Sequence, residues 1–175
     1  MDAQTGNTLS PPQNAAIPTN LPYINFRMKD FSQTSSSYPG SDACAAQILE
    51  LAEAYYDAAN ALFDTAKKNG PLSYAPARLC SIHAIELFLN AFLRNRGESA
   101  ESIRARMHNL ADEEFVTKLI LKKKTAKHLQ EMTKRREYLI SRYAPERASQ
   151  HTELNRLTAT LEEVRAKTNK YLAQA

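Results

Sequence analysis

The sequence PARLCSIHAIELFLNAFLR, residues 76–94, decides the fold class. Apolar residues occupy almost every side of a helix built from it, and a thin polar seam carries His83, Glu86 and Asn90. A helix that is apolar nearly all round belongs at the centre of an assembly, because only there are all of its sides shielded from water. We therefore predict that this segment is the central helix of an α-helical bundle.

Helical signals surround this segment. Asp42 is predicted to be the N-cap of a first helix, because its carboxylate can accept the free N–H groups of a first turn. The second helix is predicted to begin at Pro76 and to end at Gly97. Ser99 then starts a short charged helical segment that continues to Met107.

The second half of the chain has the same 3–4 spacing of apolar residues. A third helix is predicted through Phe115, Leu119 and Ile120. The fourth is predicted from about Thr125 to Tyr143, and its inward residues are Leu129, Met132, Leu139 and Tyr143. A last helix carries Leu154, Leu157, Leu161, Val164, Thr168 and Tyr171. Since no strand pattern occurs, we predict an all-α protein, an antiparallel bundle of four to five helices.

Residues 1–41 differ from the remainder of the chain. They contain five of the eight prolines together with many Ser, Thr, Asn and Gln residues. Such a composition buries too little apolar surface to fold alone. We predict an extended N-terminal arm over 1–41, whose apolar segment Leu21–Met28 docks on another surface, and a helical-bundle domain over 42–175.

Composition narrows the class of protein. With 175 residues, 43% hydrophobic and 24% charged, the chain suits one soluble domain, and no apolar run approaches the roughly 20 residues that span a bilayer. Cys44 and Cys80 are predicted to be buried thiols of a cytoplasmic protein. Four scattered histidines and four glycines predict no metal site, no cofactor and no phosphate-binding loop.

Positive charge is concentrated in the middle of the chain. Between Arg94 and Arg142 there are thirteen Lys or Arg residues and seven acids. Such a surplus can attract a phosphate backbone. The best candidates for phosphate contact are Lys122, Lys123, Lys124 and Lys127, although a solvated helical face would have the same composition. Since aromatic residues do not alternate with the basic ones, no stacking platform for single strands is predicted.

One family combines these features. The segment from Arg78 to Leu93, followed by Gly97, by His108-Asn109-Leu110 and by Arg142-Tyr143, resembles the HEPN family of helical bundles. The resemblance covers about residues 45–172. It implies a bundle fold, a homodimer, and a nucleotidyltransferase-like protein as a possible partner.

The resemblance also bears on catalysis. HEPN ribonucleases carry, late in the bundle, an Arg and a His with four to six residues between them, and an Arg and a His from two subunits meet across a dimer interface to cut RNA without metal. This chain has Arg147 and His151 in that region, with three residues between them. They are the candidate catalytic pair. The spacing of Arg78 and His83 does fit the motif, but on the second helix.

Two further sets of polar residues are candidates for binding. His83, Glu86 and Asn90 lie three and four residues apart and share one helix face, so that Glu86 could orient His83 for proton transfer or nucleotide contact. The alternative is a hydrogen-bonded patch that sets helix register. His108 is a possible ligand contact in a turn, where Asn109 could instead cap the following helix.

Two functional hypotheses follow. The first is a non-catalytic dimeric module that binds RNA, a nucleotide or a partner protein. The second is a metal-independent endoribonuclease, a toxin or stress effector, that uses the Arg147/His151 pair.

Overall fold

The computed structural model describes residues 40–66 and 70–174. The predicted N-terminal arm lies almost wholly outside these residues, and so does its segment Leu21–Met28. The described residues form seven α-helices and two 3-10 helices: α1 (Ala45–Thr65), a 3-10 helix (Pro71–Tyr74), α2 (Ala75–Asn95), α3 (Ala100–Ala105), α4 (Glu113–Lys118), α5 (Lys123–Arg135), α6 (Glu137–Tyr143), a second 3-10 helix (Pro145–Gln150) and α7 (Leu154–Leu172). The all-α prediction is confirmed.

Helix α2 is the centre of the fold, as its composition predicts. Ile82, Ile85 and Leu89 are 3%, 0% and 1% exposed, and α1, α6 and α7 all pack against the helix. Burial of one such side chain stabilises the fold by about 1.5–3 kcal/mol. None of the described helices is both long enough and apolar enough to cross a bilayer.

The four longest α-helices alternate in direction along the chain. The beginning of α1 lies beside the end of α2, where Arg94 donates two hydrogen bonds to the Ala43 carbonyl. Helix α7 also runs opposite to α1, and Arg165 pairs with Glu53 at 2.7 Å. Helix α5 is in turn antiparallel to α7, so that α2 and α7 run in the same direction. Cross-helix contacts therefore fix an up-down-up-down order for α1, α2, α5 and α7.

The predicted fourth helix is two helices. Helix α5 ends at Arg135, and Arg136 then adopts a left-handed conformation with φ 54° and ψ 47°. The break rotates α6 relative to α5, so that Glu137 and Ile140 are buried. Tyr143 was predicted to face inwards and is instead 75% exposed. The prediction for Tyr143 was wrong because it continued one helical period across Arg136, where the helix in fact breaks.

The first helix also begins later than the pattern predicts. Its N-cap is Cys44, not Asp42, and the Cys44 N–H donates to Gln47 Oε1 at 3.0 Å. This position leaves Cys44 exposed, whereas Cys80 is half-buried, so the prediction of two buried thiols is wrong for Cys44. The predicted cap at Ser99 is confirmed, because its hydroxyl accepts the Ser102 N–H at 3.0 Å.

Two helix ends have the same backbone geometry but different residues. At the end of α2, Glu98 N–H bonds the Leu93 carbonyl and the left-handed residue is Gly97, with φ 89°. At the end of α4, Leu121 N–H bonds the Val116 carbonyl and the left-handed residue is Ile120, with φ 52°. The third helix was predicted to run through Ile120, but α4 ends at Lys118 and the Ile120 side chain is 73% exposed. A branched side chain is costly in this conformation, which glycine adopts freely.

These two ends give a matched prediction for stability. Ile120→Gly should raise the free energy of unfolding by about 0.5–1 kcal/mol, because it removes the strain of the left-handed conformation. Little buried apolar surface is lost with the side chain, since Ile120 is exposed. Gly97→Ala should lower it by about 1 kcal/mol. A Cβ atom on Gly97 would meet no atom within 4 Å, so backbone strain alone produces that loss.

Urea unfolding followed by circular dichroism measures both changes. Ile120→Ala is the control for side-chain removal at the same site, and it should gain less than Ile120→Gly. Equal stability of all three Ile120 proteins would contradict the assignment of strain to this turn.

Candidate functional site

The structure separates the predicted site residues into three places. Glu86, Asn90 and His108 line one groove, and His83 lies 3.9 Å from Glu86. The four lysines lie on α5. Arg147 and His151 lie at the second 3-10 helix and its C-cap.

At the first place, Glu86 brings two histidines together. His108 Nδ1 lies 2.8 Å from Glu86 Oε1, and His83 Nδ1 lies 3.9 Å from Glu86 Oε2. The His83 ring also packs edge-on against Tyr55 of α1, with ring centroids 4.4 Å apart. The helical spacing of His83 and Glu86 predicted their proximity. The addition of His108 depends on the tertiary fold.

The Glu86 carboxyl is held in its ionised form. Burial alone would raise its pKa, but the hydrogen bond with His108 and the nearby His83 ring, 3.9 Å away, outweigh the burial. The net pKa of Glu86 therefore lies below its ordinary value. The ionised Glu86 carboxylate at His108 Nδ1 fixes the orientation of the ring. Nε2 of His108 is then the ring nitrogen that can contact a ligand.

The backbone around His108 is strained. Met107 and His108 both have positive φ angles, 50° and 65°. The His108 ring stacks on Tyr138 with centroids 4.4 Å apart. Asn109 was predicted to cap the following helix, but its Oδ1 accepts the Ala111 N–H, and the cap of α4 is Asp112. Strain of this kind occurs where surrounding contacts hold a residue in one position.

An open groove of about 660 Å³ lies beside this histidine–carboxylate cluster. Asn90 reaches the same groove from α2, so three of the four predicted residues, Glu86, Asn90 and His108, line it together, whereas His83 lies near Glu86 but does not line the groove. The lining residues are Glu86, Asn90, Glu101, Ile103, Arg104, Ala105, Met107 and His108. A carboxylate-oriented imidazole and an amide can bind a polar ligand or move a proton.

At the second place, α5 and its two flanking residues form a surface that we call the α5 basic face. Residues 122–136 contain seven Lys or Arg residues and one acid, Glu131. All seven are exposed: Lys122, Lys123, Lys124, Lys127, Lys134, Arg135 and Arg136. The predicted lysines are therefore accessible to a solvent-borne polyanion.

Helix α7 holds the beginning of α5 in place. Glu163 accepts the Lys122 N–H and the Thr125 hydroxyl, each at 2.7 Å. Between the two helices lies a groove of about 730 Å³, whose charged lining residues are Lys122, Lys124, Arg156, Lys167, Glu162 and Glu163. Cations outnumber acids there by four to two, so the groove extends the positive surface of α5.

At the third place, Arg147 and His151 have separate hydrogen-bond partners. Arg147 is exposed and its Nε donates to Gln150 Oε1 at 2.9 Å. His151 is half-buried and its Nε2 lies 3.2 Å from the Ser141 hydroxyl. A 3-10 helix has three residues per turn, so residues four apart do not share a face as they would in an α-helix. Each side chain has its own partner.

A buried polar network that the sequence pattern did not predict joins α2, α5, α6 and α7. Arg78 lies 3.7 Å from Glu137 and also donates to the Thr152 carbonyl, and Glu137 in turn accepts the Thr152 N–H at 2.7 Å. His128 bonds the hydroxyls of Thr152 and Thr160, both at 2.8 Å. Glu137 was missed because its inward position depends on the break at Arg136.

The network fixes the tautomer of His128. The Thr152 hydroxyl donates to Glu137, so it can only accept from His128 Nε2–H. Nδ1 is then the acceptor for the Thr160 hydroxyl. Burial, followed by the positive charge of Arg156, lowers the pKa of His128 to about 4. A neutral imidazole satisfies both threonines.

Comparisons with protein-family models, with curated proteins and with solved structures return no match. The HEPN resemblance therefore stays a prediction. In the residues that the structure describes, no group of three or more His, Cys, Asp or Glu side chains is arranged to hold a metal ion.

The His128 network predicts a loss of stability in mild acid. The folded-state pKa of about 4 lies below the unfolded value of 6.5, so the unfolded chain takes up the proton first. Stability is fully present above pH 6.5 and falls as the pH decreases towards 4, by roughly 3 kcal/mol. Urea unfolding at pH 7, 6, 5 and 4.5 measures this change.

Two variants assign the loss to its residue. His128→Gln should be less stable at pH 7 but should lose little more between pH 6.5 and 4.5. His108→Gln should keep most of the wild-type slope. Histidine chemical shifts provide a direct test, and a His128 resonance that titrates near pH 6.5 would contradict the buried neutral ring.

Proposed function

We propose that this protein is a non-catalytic RNA-binding module that contacts the phosphate backbone with the α5 basic face. The observation that carries the proposal is the exposure of all seven Lys and Arg residues between positions 122 and 136, opposed by one acid. Neutralising phosphates with exposed cations releases condensed counterions, and this release dominates non-specific nucleic-acid affinity.

The side chains of this face are available for phosphate contact. Lys127 Nζ lies 4.0 Å from Glu131, and an exposed pair at that distance contributes little. Lys123 and Lys127 are one turn apart on the same helix face, about 6 Å along the axis. Glu163 holds the start of α5 through Lys122 and Thr125, so the lysine side chains project from a helix whose position is fixed.

Homodimerisation is part of the proposal and comes from the HEPN resemblance. A two-fold dimer would present two α5 basic faces to one RNA. Simultaneous engagement of two faces would raise the apparent affinity without any new contact.

The endoribonuclease hypothesis has less support in the geometry. Its catalytic pair requires a cation and an imidazole close to one phosphate. Arg147 is directed to Gln150 and His151 to Ser141 within the same subunit. Incubation of the purified protein with labelled RNA in EDTA tests this alternative, and we expect intact RNA.

The binding proposal predicts a specific salt dependence. The double variant Lys123→Gln/Lys127→Gln should weaken RNA binding about tenfold at 100 mM salt. It should also reduce the slope of log K against log salt by about 1.4 on single strands, because two phosphate contacts are lost. Fluorescence anisotropy of labelled RNA over 50–300 mM salt gives both quantities.

The control variant has the same change in charge at other sites. Lys118→Gln/Lys170→Gln removes two exposed lysines outside α5 and should change the affinity less than twofold. Equal effects of the two double variants would show that net charge, and not the α5 basic face, determines binding. Sedimentation of both double variants checks whether each of them forms the proposed homodimer.

A further inference from the structure

Arg156 on α7 has no ion-pair partner in the part of the chain that the structure describes. Its side chain is half-buried, its Nε lacks a hydrogen-bond partner among those residues, and its Nη2 reaches the Thr125 hydroxyl only at 3.5 Å. Arg106 and Arg165 are also half-buried, but each of them pairs with an acid at 2.7 Å. A guanidinium that loses water without gaining a counter-charge has an unmet interaction, which a bound anion can supply.

Two cavities lie against Arg156, and its guanidinium group extends to the larger one. The smaller cavity, of about 330 Å³, is also lined by Glu131 and Glu153, neither of which pairs with Arg156 within the described residues. The larger is the α5–α7 groove of about 730 Å³. Thr125, which the Arg156 Nη2 contacts, lines this groove and does not line the smaller cavity.

Three lysines line the α5–α7 groove together with Arg156. Lys167 lies eleven residues after Arg156 on α7, which places their backbones about 16 Å apart along the helix axis. Glu163, which bonds the start of α5, lies between these two residues on α7. Lys122 and Lys124 therefore enter the groove between its two ends. The four cations form a row along the groove, and they do not surround a single point.

The two acids of the groove are held by neutral groups. Glu163 accepts the Lys122 N–H and the Thr125 hydroxyl, both at 2.7 Å. Glu162 accepts the Tyr56 hydroxyl at 2.6 Å. Neither acid forms an ion pair with a cation of the groove in the described ranges of the chain. Four cations against two acids leave a positive surplus that a ligand can neutralise.

We infer that the α5–α7 groove binds an oligophosphate chain, with Arg156 at one end and Lys167 at the other. Lys122 and Lys124 contact the middle of the chain. A guanidinium group holds phosphate oxygens in two parallel hydrogen bonds, and a lysine supplies a point charge. A chain of phosphoryl groups fits a row of cations better than a single phosphate does, because its charges are spread along its length.

The inference goes beyond contact between RNA and the α5 basic face, because it assigns a discrete site to the groove. Two sources carry the required chemistry, a free oligophosphate and the 5′-triphosphate end of an RNA. Sodium tripolyphosphate is the probe that both sources share.

Isothermal titration calorimetry at constant ionic strength measures this binding directly. The full-length protein should bind one tripolyphosphate per subunit. Inorganic phosphate should bind at least about tenfold more weakly, because one phosphoryl group cannot contact cations at both ends of the groove. Equal affinities for the two anions, or no saturable binding of tripolyphosphate up to about 1 mM, would overturn the inference.

Two lysines on α7 provide a matched pair of variants. Lys167→Gln and Lys170→Gln remove the same charge at sites three residues apart, and of these two only Lys167 lines the groove. Lys167→Gln should weaken tripolyphosphate binding about tenfold, whereas Lys170→Gln should change it less than twofold. Equal losses would show that net charge determines binding, and the groove would then not be the site.

Arg156→Gln tests the unpaired guanidinium. Tripolyphosphate should raise the urea midpoint of the wild-type protein, because a ligand that binds only the folded state stabilises it. The midpoint of Arg156→Gln should rise far less. The variant is expected to fold, since Arg156 makes no ion pair with the described residues that its loss would break. A midpoint that rises as far as in the wild type would contradict the assignment of Arg156.

Competition with RNA distinguishes the two sources. If the end of an RNA is the ligand, a 5′-triphosphate RNA should displace tripolyphosphate better than the same RNA with a 5′-hydroxyl. If the two RNAs compete equally or not at all, the source is a free oligophosphate. In either case Lys123→Gln/Lys127→Gln should leave tripolyphosphate binding within about twofold, because neither lysine lines the groove.

The groove inference and the proposed function fail in different ways. If RNA binds with the predicted salt dependence but tripolyphosphate does not bind, only the groove inference is wrong. If tripolyphosphate binds with the predicted loss in Lys167→Gln but RNA does not bind at 50 mM salt, only the proposed function is wrong.

Discussion

Burial of α2 on all its sides is the constraint on which the rest of the structure depends. Its apolar residues can be shielded from water only if other helices pack around it, and α1, α6 and α7 do so. The cost is that every polar group on α2 must find a partner inside the protein or at a groove. Arg78 finds Glu137 and Thr152, and Glu86 finds two histidines.

The buried network beneath α6 is a second consequence of this arrangement. A buried Arg–Glu pair contributes little net stability, because desolvation offsets the attraction, yet removal of one partner leaves an uncompensated charge. The network joins α2, α5, α6 and α7 through groups with fixed donor and acceptor roles. It thereby specifies how the helices pack, and it couples the neutral form of His128 to the folded state.

Two side-chain positions depend on places where the chain leaves regular helical geometry. The left-handed residue Arg136 separates α5 from α6 and leaves Tyr143 in solvent. The left-handed Met107–His108 turn places an imidazole against Glu86. In both cases, short-range backbone conformation gives a side chain a position that the helical pattern alone does not predict. The lysines of α5 are exposed without any such break, because a regular helix with one face in solvent exposes the polar residues of that face.

Local periodicity was enough to determine the all-α class, the central role of α2, the exposed lysines of α5 and the pairing of His83 with Glu86, because these properties depend on residues within one helix. It did not determine the break at Arg136, the exposure of Tyr143 and Ile120, or the burial of Glu137, because left-handed residues other than glycine have no clear sequence signature. The meeting of His108 with Glu86, and of Arg78 with Glu137 and Thr152, was decided only by tertiary structure. Contacts between residues far apart in the chain depend on how the helices pack, and helical spacing carries no information about that.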